Sequence, residues 1–256
     1  MPVKTEKIGQ VLVITIDRPP ANAIDVATSL ELYEAFCWLR DEAELRVGIV
    51  TGAGDRFFSA GWDLKAGESI EADHGPGGFA GLTEFADLGK PVIAAVNGLA
   101  LGGGFEVVLA ADLVIAVDHA EFALPEVTLG MVADSGGVLR LPKRLPRAVA
   151  AEYLLTGRRL AAADAVVWGL VNKVVPDRDL IAAALDLADS ICAAAPLAVA
   201  AVLEIMRETE EMNVRIGFQL LRSGRLPAYR AMLGSADALE GPRAFADRRA
   251  PVWQGR

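Results

Sequence analysis

The sequence predicts an α/β fold, a mostly parallel sheet buried on both faces and followed by a helical C-terminal section. Three observations predict it. Short uninterrupted runs of β-branched and aliphatic residues recur along the first half of the chain, stretches of helical period separate them, and beyond about Pro196 only helical period remains. With 256 residues, 53% hydrophobic but only 6% aromatic, the chain must fill a large core mainly from Ala, Val, Leu and Ile.

Val11-Leu12-Val13-Ile14-Thr15-Ile16 is β-branched and short, which reads as a strand. Pro19-Pro20 ends it, because proline has no N–H to donate and a fixed φ. Helical period resumes from about Val26 to Leu39 and places Leu30, Tyr33, Phe36 and Cys37 on one face. Val47 to Val50 reads as a second buried strand and Val92 to Val96 as a third. Between them, Glu68 to Gly81 contains Gly75-Pro76-Gly77-Gly78 and reads as a long flexible connection, a candidate lid. A helix opens near Gly103, and the strand Leu113 to Val117 follows it. Ala198 to Met212 and Ala236 to Arg248 are helical by period. The expected division is therefore a core over residues 1–195 that carries the chemistry, and a helical section over 196–256 that caps the site or packs on a neighbouring subunit.

Charge and composition exclude several functions. A net charge of −9 opposes a sequence-independent grip on nucleic acid, which needs basic surface, but leaves room for a phosphorylated small molecule held by a few local groups. Cys37 and Cys192 are far apart, no CxxC is present, and His74 and His119 are the only histidines. That pattern supports neither a disulfide framework nor a zinc site, and it removes most Ser-His-Asp schemes. Met1 to Lys7 lacks the apolar core of a signal peptide, and uncharged stretches such as Pro91 to Phe105 are too short to span a membrane. A cytoplasmic protein without a membrane segment, metal or redox cofactor is expected.

The most informative segment is Asn97-Gly98-Leu99-Ala100-Leu101-Gly102-Gly103-Gly104-Phe105-Glu106, which leaves a buried strand and enters a helix. Free N–H groups at a helix start attract developing negative charge, and glycines let a ligand approach the backbone. A thioester oxygen becoming enolate-like would gain a few kcal/mol from each such donor. Glu106, just inside the helix, could reach the same ligand. Taken alone, Gly102 to Gly104 are equally consistent with close helix–sheet packing. The spacing is not a dinucleotide fingerprint, and neither a P-loop nor G-x-S-x-G is present. A second carboxylate, Glu126, stands in the apolar stretch Phe122 to Met131; by itself it reads as a capping or salt-bridged residue.

Together with Phe57-Phe58-Ser59-Ala60-Gly61-Trp62-Asp63-Leu64-Lys65, these segments resemble the crotonase superfamily, the enoyl-CoA hydratase/isomerase family. The likeness runs from Asp17-Arg18-Pro19-Pro20 through Leu155-Thr156-Gly157 and Trp168-Gly169-Leu170-Val171 to the C-terminus. It implies a spiral of β-β-α units with a helical C-terminal section used for trimer formation, and a homotrimer or a hexamer of paired trimers. It also implies an acyl-CoA substrate, Glu106 and Glu126 as the catalytic carboxylates, and the backbone N–H groups of Ala60 and Gly103 as the oxyanion hole. Both carboxylates together favour hydration and dehydration across the α,β-carbons, one activating water while the other supplies or accepts a proton. Ala23 and Ile24 would form one wall of the substrate site, and Gly61, Trp62, Asp63 and Leu64 would run along the CoA moiety. Arg18 and Lys65 remain open as partners of its 3′-phosphate.

Within the family the closer likeness is to the carnitinyl-CoA dehydratase branch. It rests on Trp62 where a small residue is usual, on Gly75 to Glu84, on Asp134 to Pro142 and on the closing Pro251 to Arg256; Ala133 departs from the more usual proline. That branch implies a trimethylammonium group beyond Cβ, which an aromatic face or an unpaired carboxylate would favour. Trp62 and Asp134 are the candidates, against simpler roles as an apolar wall and a turn residue. A general short-chain enoyl-CoA hydratase is the rival enzyme, and a non-catalytic scaffold or RNA-binding member the rival from another class.

Overall fold

The computed structural model describes residues 1–256. Strands β1 (Val3–Ile8) and β2 (Val11–Ile16) form an antiparallel hairpin, and α1 (Val26–Asp41) returns the chain to β3 (Val47–Gly52). Next come β4 (Phe57–Ser59), β5 (Val92–Val96), β6 (Leu99–Leu101), α2 (Gly103–Ala110), β7 (Leu113–Val117) and β8 (Glu121–Ala123). They are followed by α3 (Gly137–Arg144), α4 (Arg147–Thr156), β9 (Leu160–Ala161), α5 (Ala162–Val167), β10 (Lys173–Val175) and α6 (Leu180–Cys192). The last four helices are α7 (Pro196–Thr209), α8 (Val214–Arg222), α9 (Pro227–Leu233) and α10 (Ala236–Ala246).

The strands alternate between two sheets. The larger runs β1-β2-β3-β5-β7-β10 and is parallel from β2 onward; the smaller runs β4-β6-β8-β9. Each of β3, β5 and β7 leaves the large sheet and is followed at once by β4, β6 or β8 in the small one, so the chain climbs in repeated turns as the spiral expectation requires. The apolar runs of β3 and β5 are buried at every residue because both faces of the large sheet are covered.

Sequence and structure part at three elements. β1 carried no apolar signal because its residues after Val3 are exposed along a sheet edge, where Lys4, Glu6 and Lys7 discourage pairing with another chain. In α1 the buried face is Thr28, Ser29, Leu32, Ala35, Phe36 and Leu39, while Leu30 is exposed. The polar Thr28 and Ser29 sit inside because their hydroxyls are hydrogen-bonded, Thr28 to the N-cap Asp25 and Ser29 to the distant His74. In the helical section α8 and α9 are additional short helices that periodicity did not separate.

The chain divides into two compact units, residues 1–88 with 92–188, and residues 89–91 with 189–256. The first is centred on the fully buried Phe36, Phe58, Phe105 and Phe122, with the rings of the last two 5.2 Å apart. In the second, Glu204 accepts from the N–H groups of Ala228 and Tyr229 at the start of α9. The buried Asp237 accepts from Gln254 and Gly255, which fastens the C-terminal strand of chain. No single helix is long and apolar enough to cross a membrane.

Candidate active site

A cavity of about 670 Å³ opens where successive turns of the spiral end. The first turn contributes the segment after β4. Gly61 sits at φ +82°, and a Cβ on it would lie 2.6 Å from the Gly103 nitrogen, so only glycine lets this segment press against the start of α2. The segment is laid along Ile24, whose N–H donates to Gly61 O at 2.8 Å and whose carbonyl accepts from Asp63 N–H at 2.9 Å. Between them, the N–H of Trp62 has no acceptor within the chain.

The second turn contributes α2. Its cap, Gly102, offers no side chain to the first turn of N–H groups, and the N–H of Gly103 has no intrahelical partner. Two unsatisfied donors, on Trp62 and Gly103, therefore line one cavity with a helix macrodipole behind the second. One turn further along α2, Glu106 is only 3% exposed. Its Oε1 accepts from Gly137 N–H at 2.8 Å, the first residue of α3. Burial raises its pKa to about 7 against that hydrogen bond, helped by the nearby Glu126 and Asp134 carboxylates.

The third turn contributes Glu126, in the 3-10 turn Pro125–Leu129 after β8. A Cβ on Gly102 would come within 2.8 Å of Glu126 Oε1, so that glycine admits the carboxylate. Glu126 Oε2 is buried and has no hydrogen-bond partner. Burial first, then the charge on Asp134, raises its pKa. Two carboxylates with raised proton affinity, one of them holding an unused buried acceptor, can share a proton and position a water between them.

The structure brings Ala60, Trp62, Leu64, Gly103, Glu106, Glu126 and Asp134 together in the cavity lining. Several expectations are corrected. Ala60 cannot be an oxyanion donor, because its N–H already donates to Ala21 O at 2.9 Å; the free donor is two residues on, at Trp62. Ile24 is fully buried and Ala23 stands outside the cavity lining; Ile24 pairs with the segment around Trp62 that borders the cavity. Asp63 is occupied twice, its N–H by Ile24 and its carboxylate by Arg18 at 2.6 Å. Arg18 also binds Asp25 at 2.7 Å and Ala23 O at 2.9 Å, so its guanidinium is engaged within the scaffold. Trp62 lines the cavity, but its indole N–H donates to Glu68 Oε2 at 3.1 Å.

Other lining residues escaped the sequence reading. Phe79 is buried with its ring edge over Gly103, at 2.5 Å from where a Cβ would stand, and His74 packs against it with ring centroids 5.1 Å apart. Both come from the stretch following Glu68, which lies along the cavity. Glu71, Asp73 and Glu84 join the lining from the same part of the chain. No local signal marks them, because they reach the site only through a long irregular connection.

The family model for enoyl-CoA hydratase/isomerase matches residues 6–256. The chain is 59% identical over 251 residues to the carnitinyl-CoA dehydratases of Salmonella typhi and Citrobacter koseri, covering 97% of this chain and 96% of theirs. Among solved structures it resembles an enoyl-CoA hydratase from Mycobacterium tuberculosis, with a TM-score of 0.90 and 42% identity over 100% of this chain and 99% of that one. A carnitinyl-CoA hydratase from Mycobacterium avium matches with a TM-score of 0.78 and 44% identity at the same coverage. The two sheets and the spiral that links them thus form a crotonase fold, and the chain is a member of the enoyl-CoA hydratase/isomerase family.

Proposed function

We propose that this chain is a carnitinyl-CoA dehydratase, a hydro-lyase that interconverts carnitinyl-CoA and crotonobetainyl-CoA. The observation that carries the reading is the lining of the cavity. Besides Glu106 and Glu126 it holds the carboxylates of Glu71, Asp73, Glu84 and Asp134, and no lysine or arginine. A field of one sign in a walled cavity favours a cationic acyl group over a neutral one of the same length. The 59% identity to carnitinyl-CoA dehydratases over nearly the whole chain supports the same substrate.

In this reading the thioester oxygen accepts from the unsatisfied N–H groups of Trp62 and Gly103, which stabilise the enolate-like charge as it forms. Glu106 and Glu126 hold the attacking or departing water. With a pKa of about 7, Glu106 exchanges a proton at little free-energy cost near neutral pH, which suits a reversible addition. Asp134, exposed and in the cavity lining, is the candidate contact for the trimethylammonium group. Assembly as a homotrimer or hexamer accompanies the reading, supported by the exposed Met206, Phe218, Leu239 and Phe245 of the helical section.

The test compares hydration of crotonobetainyl-CoA with crotonyl-CoA by loss of the conjugated thioester absorbance. A preference of about 100-fold for the betainyl thioester, roughly 2.7 kcal/mol of transition-state discrimination, is the expected result. Equal rates, or a preference for crotonyl-CoA, would make the chain a general short-chain enoyl-CoA hydratase.

A further inference from the structure

Trp62 is held from four directions, and one of them has no counterpart in the scaffold. Its neighbours Gly61 and Asp63 are bonded to Ile24, and the Asp63 carboxylate is bonded to Arg18. The fourth hold is Glu68. Its Oε2 accepts from the Trp62 indole N–H at 3.1 Å and its Oε1 from the backbone N–H of Val26, the first residue of α1, at 2.9 Å. One carboxylate thus spans the start of a rigid helix and the side chain of the residue whose backbone N–H is free in the cavity. Ser69 and Ile70, which follow Glu68 directly, line that cavity.

We infer that Glu68 is a positioning residue for the oxyanion hole: by clamping the indole to α1 it fixes the orientation of the Trp62 peptide and hence of its N–H. This rests on the assignment of Trp62 and Gly103 as the oxyanion donors, and is independent of which acyl group is preferred. The chemistry of the clamp is specific. Two N–H donors converge on Glu68, and a carboxylate offers an acceptor to each. Glutamine has the same shape but only one acceptor oxygen, so it can satisfy one donor and must turn its own NH₂ toward the other. Without the clamp the indole is free to change rotamer, and the Trp62 peptide is left to its backbone pairing with Ile24 alone, with more freedom to tilt. A donor displaced by a fraction of an ångström loses most in the transition state, where the oxygen carries its charge, so the loss falls on kcat and not on KM.

The experiment measures kcat and KM for the better of the two butenoyl thioesters in Glu68→Ala, Glu68→Gln, Trp62→Phe and the Glu68→Ala/Trp62→Phe double variant, with thermal melts alongside. The expected result is a kcat loss of about tenfold in Glu68→Ala and Trp62→Phe and a smaller one in Glu68→Gln, with KM held within about twofold. The double variant should be no slower than the worse single variant, because both changes cut the same link. A kcat unchanged in Glu68→Ala, a loss confined to KM, or single losses that multiply in the double variant would overturn the proposal. A second readout separates it from the catalytic reading. Acetoacetyl-CoA, whose enolate absorbs where its keto form does not, reports bound enolate without turnover. Wild-type protein should raise the enolate fraction and Glu68→Ala should lose most of that gain. If Glu106→Gln and Glu126→Gln retained full hydratase activity, the two-glutamate reading would fail while the enolate test of Glu68 stood. If wild-type protein raised no enolate fraction, the oxyanion hole and the role of Glu68 would both be refuted.

Discussion

Replacing Glu106 with glutamine should make the protein more stable at alkaline pH while abolishing its activity. Glu106 is 3% exposed, and burial raises its pKa from 4.5 to about 7. Between those values the native state binds more protons than the unfolded chain, so stability falls as pH rises. The contribution of the neutral carboxyl is intact below pH 4.5 and lost once pH passes the folded value near 7. The span corresponds to roughly 3 kcal/mol of destabilisation in the ionised state. Glutamine keeps the shape and can still accept from Gly137 N–H, but never ionises. Melting temperatures of wild type and Glu106→Gln, taken from pH 5 to 8 at fixed protein concentration, should differ little at pH 5. By pH 8 the variant should melt higher by about 6 °C, at about 2 °C per kcal/mol for a chain of this size. A gap that does not widen with pH, or a variant less stable at pH 8, would refute the assignment of Glu106 as a buried carboxylate destabilised by its own charge.

Other expectations concern single groups. Glu126→Gln should lower kcat by 10² to 10⁴, the range for loss of a general acid–base group, with CoA thioester binding in a fluorescence titration little changed. Gly137→Ala should slow hydration by about tenfold or more, since its Cβ would stand 3.0 Å from Glu106 Oε1 and 2.9 Å from both Ala133 and Leu124 atoms; kinetics on the purified variant check it. Asp134→Asn should reduce kcat/KM for crotonobetainyl-CoA by about tenfold and leave crotonyl-CoA within twofold; equal losses on both would remove Asp134 from cation recognition. Arg18→Ala removes the cation shared by the partly buried Asp25 and Asp63, and urea unfolding should show a loss of about 2–3 kcal/mol.

How much of this was legible depends on whether the deciding contact is local. The strand-to-helix turn at Gly102 to Glu106 could be read, because a buried run, three glycines and a helical period are consecutive. The free donor could not. Ala60 and Trp62 differ only in which N–H is engaged by a distant carbonyl, and that depends on the pairing with Ala21 and Ile24 and on the turn at Gly61. Arg18 and Asp63 are 45 residues apart, and their ion pair turns two candidate ligand contacts into scaffold. The short strands of the second sheet were invisible to periodicity, since three residues hold no period to read, and they became legible only through family resemblance.

The spiral has a consequence for how this protein fails. The proposed oxyanion donors and the two carboxylates come from three successive turns, each ending one pair of strands, and Gly102 and Gly137 interlock those turns through the glutamates they touch. No single turn contains a working fragment of the site. Local opening of any one of them removes a reacting group, so partly unfolded molecules should be silent in the assay. Enzymatic activity during denaturation then reports only molecules with all three turns closed, and its midpoint should fall at or before the loss of the sheet signal and never after it.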